Sequence, residues 1–265
     1  MPRSVPVTAP AAPLDALRTR AREASARAVV PFTEAPEAVV LLLEDGRTVP
    51  GVRIESPVFP LTISALQNAL TSWHALAPGT TVVALVGSGP LTDADRVFAA
   101  DALGLLDADG SDGFVRPGAA LPAVGADVSP FLEAARPETD EMGLALAREV
   151  AGRAHVPASL YPVGCVLAVE SGLVPGCNVE FDDWQRILCA ERNALSTAIT
   201  YSLGPPEAFW VACLCGACSP CGGCRQVLAE HAADVPLTMV GRDGPITTTP
   251  AALLPGAFDR ASLGK

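Results

Sequence analysis

An α/β fold of two similar units, each a mixed β-sheet flanked by helices, is what the sequence predicts, and three observations predict it. Short apolar runs of strand type alternate with stretches of helical periodicity along the chain. The pattern of Pro36–Leu70 returns in Pro162–Leu195, a self-similarity too long for an array of small repeats and suited to a duplicated domain. With 265 residues and 49% hydrophobic content, the chain can bury one or two substantial cores.

Met1–Pro13, rich in Pro and Ala, predicts a flexible leader, and Leu14–Val29 carries helical periodicity with Arg and Glu on the outer face. Val39–Leu43 and Val49–Ile54 flank Gly46 as two strands about a turn; a helix and a third apolar run, Val82–Val86, follow. Gly125–Asp140, with Pro130 and Pro137 around a short helical pattern, predicts the connection, so that the units fall at residues 1–128 and 138–265. The second unit repeats the order with strands Val163–Val169 and Leu173–Val179 about Gly172, a helix, strand Phe209–Leu214 and a further helix.

The two copies align with one residue of slippage in the hairpin. Pro36 matches Pro162, Gly46 matches Gly172, Val49-Pro50-Gly51 matches Val174-Pro175-Gly176, Glu55 matches Glu180, and Asn68-Ala69-Leu70 matches Asn193-Ala194-Leu195. Further on, Pro90 matches Pro220, and Pro117–Pro122 matches Pro250–Pro255. The first copy has Ser64 for Cys189, Leu66 for Glu191, Leu91 for Cys221, Ala94 for Cys224 and Arg53 for Asn178. Without thiolate or carboxylate in those places, it is expected to bind no metal by the route open to the second copy.

That route rests on Cys189-Ala190-Glu191-Arg192 and on Ser219-Pro220-Cys221-Gly222-Gly223-Cys224-Arg225-Gln226. A Cys-x-Glu followed about thirty residues later by Pro-Cys-x-x-Cys is the zinc-deaminase signature in its all-cysteine form. Three thiolates hold Zn²⁺ and leave its fourth tetrahedral position to water, whose protons are handled by a carboxylate that is not a ligand. Glu191, two residues after Cys189 at a helix start, reaches that position without filling it. Pro220 suits the first turn of a second helix, which puts Cys221 and Cys224 on one face. Both ligand groups then sit at helix N-termini, where the dipole and free N–H groups favour thiolates. Three thiolates leave the ion with excess negative charge, and Arg192 and Arg225 are the candidates to offset it.

Other readings of the cysteines stay open at this level. A structural zinc site or plain buried cysteines would account for the spacing, although neither needs Glu191 beside the first cysteine. Cys218, Cys221 and Cys224 also spell the start of an iron–sulfur ligand set, against which Pro220 favours a helix start. Cys165, Cys177, Cys213 and Cys215 read as small core residues, and His74, His155 and His231 have no partner at metal spacing. Asn178 and Glu180, two apart at a strand end, share one face.

Over residues 145–258 the chain resembles the cytidine deaminase family of the three-cysteine type. Gly176-Cys177-Asn178-Val179-Glu180, Cys189-Ala190-Glu191-Arg192, Cys224-Arg225-Gln226-Val227-Leu228 and Leu254-Pro255-Gly256-Ala257-Phe258 follow in the family's order. The resemblance implies hydrolytic deamination of cytidine or 2′-deoxycytidine to the uridine product and ammonia, a step of pyrimidine salvage, with one zinc per chain. Glu191 would move protons to N3 and the departing amine. Asn178 and Glu180 would bond the ribose hydroxyls, Tyr161 would pack on the pyrimidine, and the N–H of Ala190 with carbonyls near Ser219 would read the base edge. Phe258 corresponds to a residue that lies near the base, often from a neighbouring subunit.

Two departures stand out. The aromatic-Pro-Leu-x-Ile run that precedes the zinc ligand in the family survives as Phe59-Pro60-Leu61-Thr62-Ile63 in the first copy, whereas the second reads Trp184-Gln185-Arg186-Ile187-Leu188. Phe181-Asp182-Asp183 replaces the family's Asn-Ala-Ser, which leaves a modified or antibiotic nucleoside open as substrate. A non-enzymatic zinc or nucleoside-binding module is the reading that Glu191 opposes.

A net charge of −11, from 18 Lys and Arg against 29 Asp and Glu, argues against a nucleic-acid partner. No run approaches a membrane span and Met1–Pro13 has no signal-type apolar stretch, so a cytoplasmic location is expected. All eight cysteines lie from Cys165 onward, which suits a metal site in one half better than a disulfide framework. Small single-domain chains of the family assemble as tetramers, so a fused pair is expected to form a homodimer with four domains and two live sites.

Overall fold

The computed structural model describes residues 11–104 and 107–264. Most of the expected leader lies outside them, and its last residues already belong to α1 (Ala11–Ser25). Pro13 is tolerated there because the first turn of a helix needs no N–H from it.

In the first half α1 is followed by β1 (Ala38–Leu43), β2 (Thr48–Val52), α2 (Ala65–Leu76), β3 (Val82–Gly87), α3 (Asp93–Leu103), β4 (Asp107–Asp109) and β5 (Gly113–Val115). The second half runs α4 (Asp140–Ala151), β6 (Val163–Val169), β7 (Gly172–Cys177), α5 (Ala190–Thr200), β8 (Ala208–Cys213), α6 (Gly222–Ala232), β9 (Leu237–Val240), β10 (Pro245–Thr248) and α7 (Pro250–Leu253). Each half builds one five-stranded sheet, in the orders β2-β1-β3-β5-β4 and β7-β6-β8-β9-β10. The sheets differ at one end. After α6 the chain returns as β9, parallel to β8, and folds back as the edge strand β10. After α3 the first strand takes the edge, and its hairpin partner β5 lies antiparallel to β3.

The central strands are apolar throughout because helices cover both faces of each sheet. In β1, Leu41 and Leu43 face α2 while Val40 and Leu42 face α1. In β6, Cys165 and Leu167 face α5 while Val166 and Ala168 join the cluster containing residues of α4. Cys165 and Cys177 are thus core residues.

The retained Val-Pro-Gly triplets mark where a helix lies on a strand. A Cβ on Gly51 would stand 2.2 Å from the Ala69 nitrogen, and one on Gly176 would stand 2.3 Å from the Ala190 carbonyl oxygen. Only glycine allows that approach. Val128 closes the first core and Phe131 packs on the second, so the chain crosses between halves there.

Helices α2 and α5 meet between the halves through buried side chains. Asn68 donates to Val52 O (2.9 Å) and across to Thr200 Oγ1 (2.8 Å). Its counterpart Asn193 donates to Cys177 O (2.9 Å) and across to Thr71 O (3.0 Å), and Ser72 and Thr197 hydroxyls bond at 2.9 Å. The Asn that both copies keep therefore ties its own strand end to the other half. No helix among the described residues is long and apolar enough to cross a membrane.

Candidate active site

Cys189 is the N-cap of α5 and Cys221 the N-cap of α6; Cys221 Sγ accepts from Cys224 N at 3.4 Å. The Sγ atoms of Cys189, Cys221 and Cys224 all lie within 4.8 Å of one another, and Cys189 and Cys221 are 3.7 Å apart. A tetrahedral ion with metal–sulfur bonds of about 2.3 Å sets its ligand sulfurs about 3.8 Å apart, so the spacing fits zinc. The thiols share protons: hydrogen bonds from Cys189 and Cys224 hold Cys221 far below the usual thiol range, while the bond to Cys221 pushes Cys189 up to about 12.

Glu191, in the first turn of α5, is 3% exposed and accepts from Cys224 Sγ at 3.4 Å. Burial raises its pKa above the ordinary carboxylate value. Arg192 is also largely enclosed. Burial opposes its charge, but the sulfurs of Cys224, Cys189 and Cys221 outweigh that and hold it protonated. Among the described residues its buried Nε has no hydrogen-bond partner. A guanidinium kept at that cost in solvation beside three sulfurs is what a thiolate-rich cation site requires. Arg225 turns elsewhere, donating to Pro220 O (2.9 Å), Ser219 Oγ (3.0 Å) and Leu253 O (3.3 Å), and so fixes the turn before Cys221 onto α7.

Asn178 and Glu180 are engaged with the loop before β6. Asn178 Oδ1 accepts from Val163 N (2.8 Å) and Nδ2 donates to Tyr161 O (2.9 Å). Glu180 Oε2 accepts from Ala158 N (3.0 Å) and Ser159 N (3.1 Å). Burial pushes its carboxyl up, but the bonds from Ser159 and Ala158 outweigh burial and hold it low. Glu55 binds Phe32 N (2.9 Å) and Thr33 N (3.2 Å) in the same way. Loop support is therefore a role this glutamate has in both copies. Tyr161 donates its hydroxyl to Ala217 O (2.9 Å) with its ring partly exposed, Ala190 is buried at the start of α5, and the Phe258 carbonyl accepts from Gln226 Nε2 (2.6 Å).

What residue spacing does not reveal is the exchange between halves. The 3-10 turn Phe59–Leu61 lays Leu61 on the second core, 3.1 Å from where a Cβ on Gly223 would stand. The matching turn Trp184–Arg186 reaches the first half, where Arg186 Nη1 lies 3.0 Å from Asp95 Oδ1 and 3.4 Å from Ser64 Oγ. Phe181 packs edge-on against Phe98 at 4.9 Å. The signal for all of this was the family run surviving in the copy that lacks the ligands.

Two stretches, residues 137–239 and residues 4–86, match models described as the cytidine and deoxycytidylate deaminase zinc-binding region. A cytidine deaminase from Sporosarcina psychrophila is 39% identical over 124 residues, 45% of this chain and 91% of the relative. The chain belongs to the zinc-dependent cytidine deaminase family. Another relative, a cytidine deaminase from Mycobacterium tuberculosis, is 43% identical over 89 residues, 32% of this chain and 65% of that one. A crystal structure of cytidine deaminase from Burkholderia pseudomallei aligns over 45% of this chain and 99% of its own, with 31% identity and a TM-score of 0.43. The two model matches show the duplication, with one deaminase domain in each half.

Proposed function

We propose that the second domain hydrolyses the amino group of cytidine or 2′-deoxycytidine, giving the uridine product and ammonia for pyrimidine salvage, with one zinc per chain held by Cys189, Cys221 and Cys224. The observation that carries this reading is the buried Glu191 carboxylate against the three sulfurs, which a structural or purely binding site would not need. Zinc held by these thiolates supplies a water activated for attack at C4 of the ring. Glu191 would take the first proton of that water and pass it to N3, then take the second from the hydroxyl added at C4 and deliver it to the departing amine; burial, which raises its pKa, suits the carboxyl to hold a proton between steps. Arg192 offsets the thiolate charge, and Arg225 holds the Cys221 turn.

Asn178 and Glu180 would bond the ribose from the loop they support, Tyr161 and Phe258 would pack near the base, and the Ala190 N–H would read its edge. Phe181 packs on the first domain, so the departure at Phe181-Asp182-Asp183 has an interdomain cause and gives no support to an unusual substrate. We place the domains at residues 1–128 and 138–265, and the chain in a homodimer. Exposed Phe59 and Trp184 are available to the second copy.

Ammonia release from cytidine, 2′-deoxycytidine, adenosine, guanine and a blasticidin-type nucleoside tests the reading. Turnover confined to the two cytidines is expected; turnover of another substrate alone, or none, overturns it.

A further inference from the structure

The first domain has lost its ligands but kept the cleft, a cavity of about 240 Å³ lined by Ser64, Leu66, Leu91 and Asp95 among others. Ser64 and Asp95, the residues that stand for Cys189 and Arg225, are the two that Arg186 of the other domain reaches. The Arg186–Asp95 pair is well shielded, with side chains 19% and 20% exposed, and the guanidinium lies 4.8 Å from the Phe98 ring centre. Such a pair is a stronger tie than a surface one. The Arg186 carbonyl is fixed as well, accepting from Gln67 Nε2 at 2.9 Å.

We propose that the wall of the vestigial cleft, at Ser64 and Asp95, is a socket for Arg186, and that Asp95 and Arg186 are positioning residues for the metal centre of the other domain. Only Ile187 and Leu188 separate Arg186 from Cys189. Leu188 is buried and exchanges backbone hydrogen bonds with Val179, at 3.0 and 3.2 Å. The segment is thus gripped at Arg186 and again at Leu188, and a displacement at the first grip is delivered to the N-cap sulfur. The charge pattern follows from what each turn meets. Leu61 meets Gly223, which offers no charge; Arg186 meets Asp95. The inference rests on the proposed function only in taking Cys189, Cys221 and Cys224 as zinc ligands.

The test uses the full zinc-loaded chain and measures zinc transfer to a chromophoric chelator together with kcat and KM. Asp95→Asn and Arg186→Leu, the latter installing the residue of the matching turn, are compared with Arg186→Lys. Arg18→Ala is the control: it removes ion pairs to Asp109 and Asp112 in the first domain, side chains that neither line the cleft nor bond Arg186. Loss of one charge-assisted bond predicts zinc release about tenfold faster in Asp95→Asn and Arg186→Leu, with kcat lower by a similar factor and KM within about twofold. Arg186→Lys should recover most of both, and Arg18→Ala should release zinc at the wild-type rate while melting earlier. Unchanged release in Asp95→Asn and Arg186→Leu, or equal acceleration by Arg18→Ala, overturns the socket. A wild-type chain that binds no zinc overturns the proposed function with it; zinc-loaded wild type with indifferent variants sinks the socket alone.

Discussion

At the start of α5 three sulfurs, a buried glutamate and a half-buried arginine converge; at the start of α2 the same framework holds Ser64, Leu66 and Leu91, with Ala94 exposed beside them. The frames agree where backbone geometry demands it, at Gly51 and Gly176, at Asn68 and Asn193, and at Glu55 and Glu180. They diverge at the four positions that carry the sulfurs and the carboxylate in the second copy, and in the turns Phe59–Leu61 and Trp184–Arg186 that reach the other domain. Each turn is shaped by the half it reaches and not by the domain that carries it. Leu61 follows the family because it abuts the live site; Arg186 departs from it because it abuts a cleft freed from metal binding.

The sharpest division between the copies should be chemical. Glu191→Gln should keep zinc and fold while losing on the order of 10²–10⁴ in kcat, because it removes the proton carrier and leaves the sulfurs. Leu66→Ala at the matching place should cost stability and leave kcat near wild type. Metal analysis should find one zinc per chain in all three proteins. Near-normal turnover in Glu191→Gln would remove that residue from the reaction, and two zincs would show that the first copy is not vestigial.

Backbone geometry offers the converse, a change expected to hurt both copies alike. Alanine at Gly51 or Gly176 forces a Cβ into helix backbone, so each should cost about 3 kcal/mol or more in chemical unfolding. Only Gly176→Ala should also depress turnover, since it displaces the helix that carries Glu191 and follows Cys189. Equal loss of activity in both variants would mean that the first domain controls the site far more tightly than one socket requires.

The cysteine cluster and the duplication were legible because each depends on residues close in sequence: Cys-x-Glu, Pro-Cys-x-x-Cys and the Gly turns carry their own geometry. Partners across the interface were not. Phe181 looked like a substrate feature and is an interdomain contact, and nothing local marks Asp95 as the anion that Arg186 meets. The order of β4 and β5 was equally hidden, since three-residue strands such as Gly113–Val115 have no periodicity to read.

Two cavities, of about 320 and 410 Å³, flank the interface at matching places, and their linings differ. His74 and His155 stack at 5.2 Å in the smaller, beside Asp101, Asp182, Asp183 and Glu180; the larger has Val29 where His155 stands. Burial, helped by the neighbouring His155, depresses His74 from 6.5 to about 4. A histidine held neutral when folded contributes fully above its unfolded pKa. The His74 contribution should therefore fall as pH drops through 6.5 and be exhausted below about 4, a loss of about 3 kcal/mol. His74→Phe should be less sensitive over that window in urea titrations; an unchanged slope would assign the acid lability elsewhere.

The smallest expected effect tests whether the halves stand or fall together. Gly104 caps α3 at φ +61 with no atom of the described residues within 4 Å of an added Cβ, so Gly104→Ala changes backbone energy in the first domain, by about 1 kcal/mol. Thr139 caps α4 by accepting from Met142 N at 3.3 Å, so Thr139→Ala should cost about 1 kcal/mol in the second. The bonds of Asn68, Ser72 and Asn193 across the interface are buried, and separating the domains breaks them together with the apolar contacts of Leu61 and Phe181. One cooperative transition is the consequence, and both variants should lower it equally, by about 2–4 °C for a unit of this size. Trp73 lies in the first domain and Trp210 in the second, so calorimetry with fluorescence of variants that keep one of these two and replace the other and Trp184 by Phe resolves the two cases. If Gly104→Ala moved a transition of its own and left the zinc-bound one in place, the first domain would not be supporting the second, and the reason for keeping it would have to be sought outside stability.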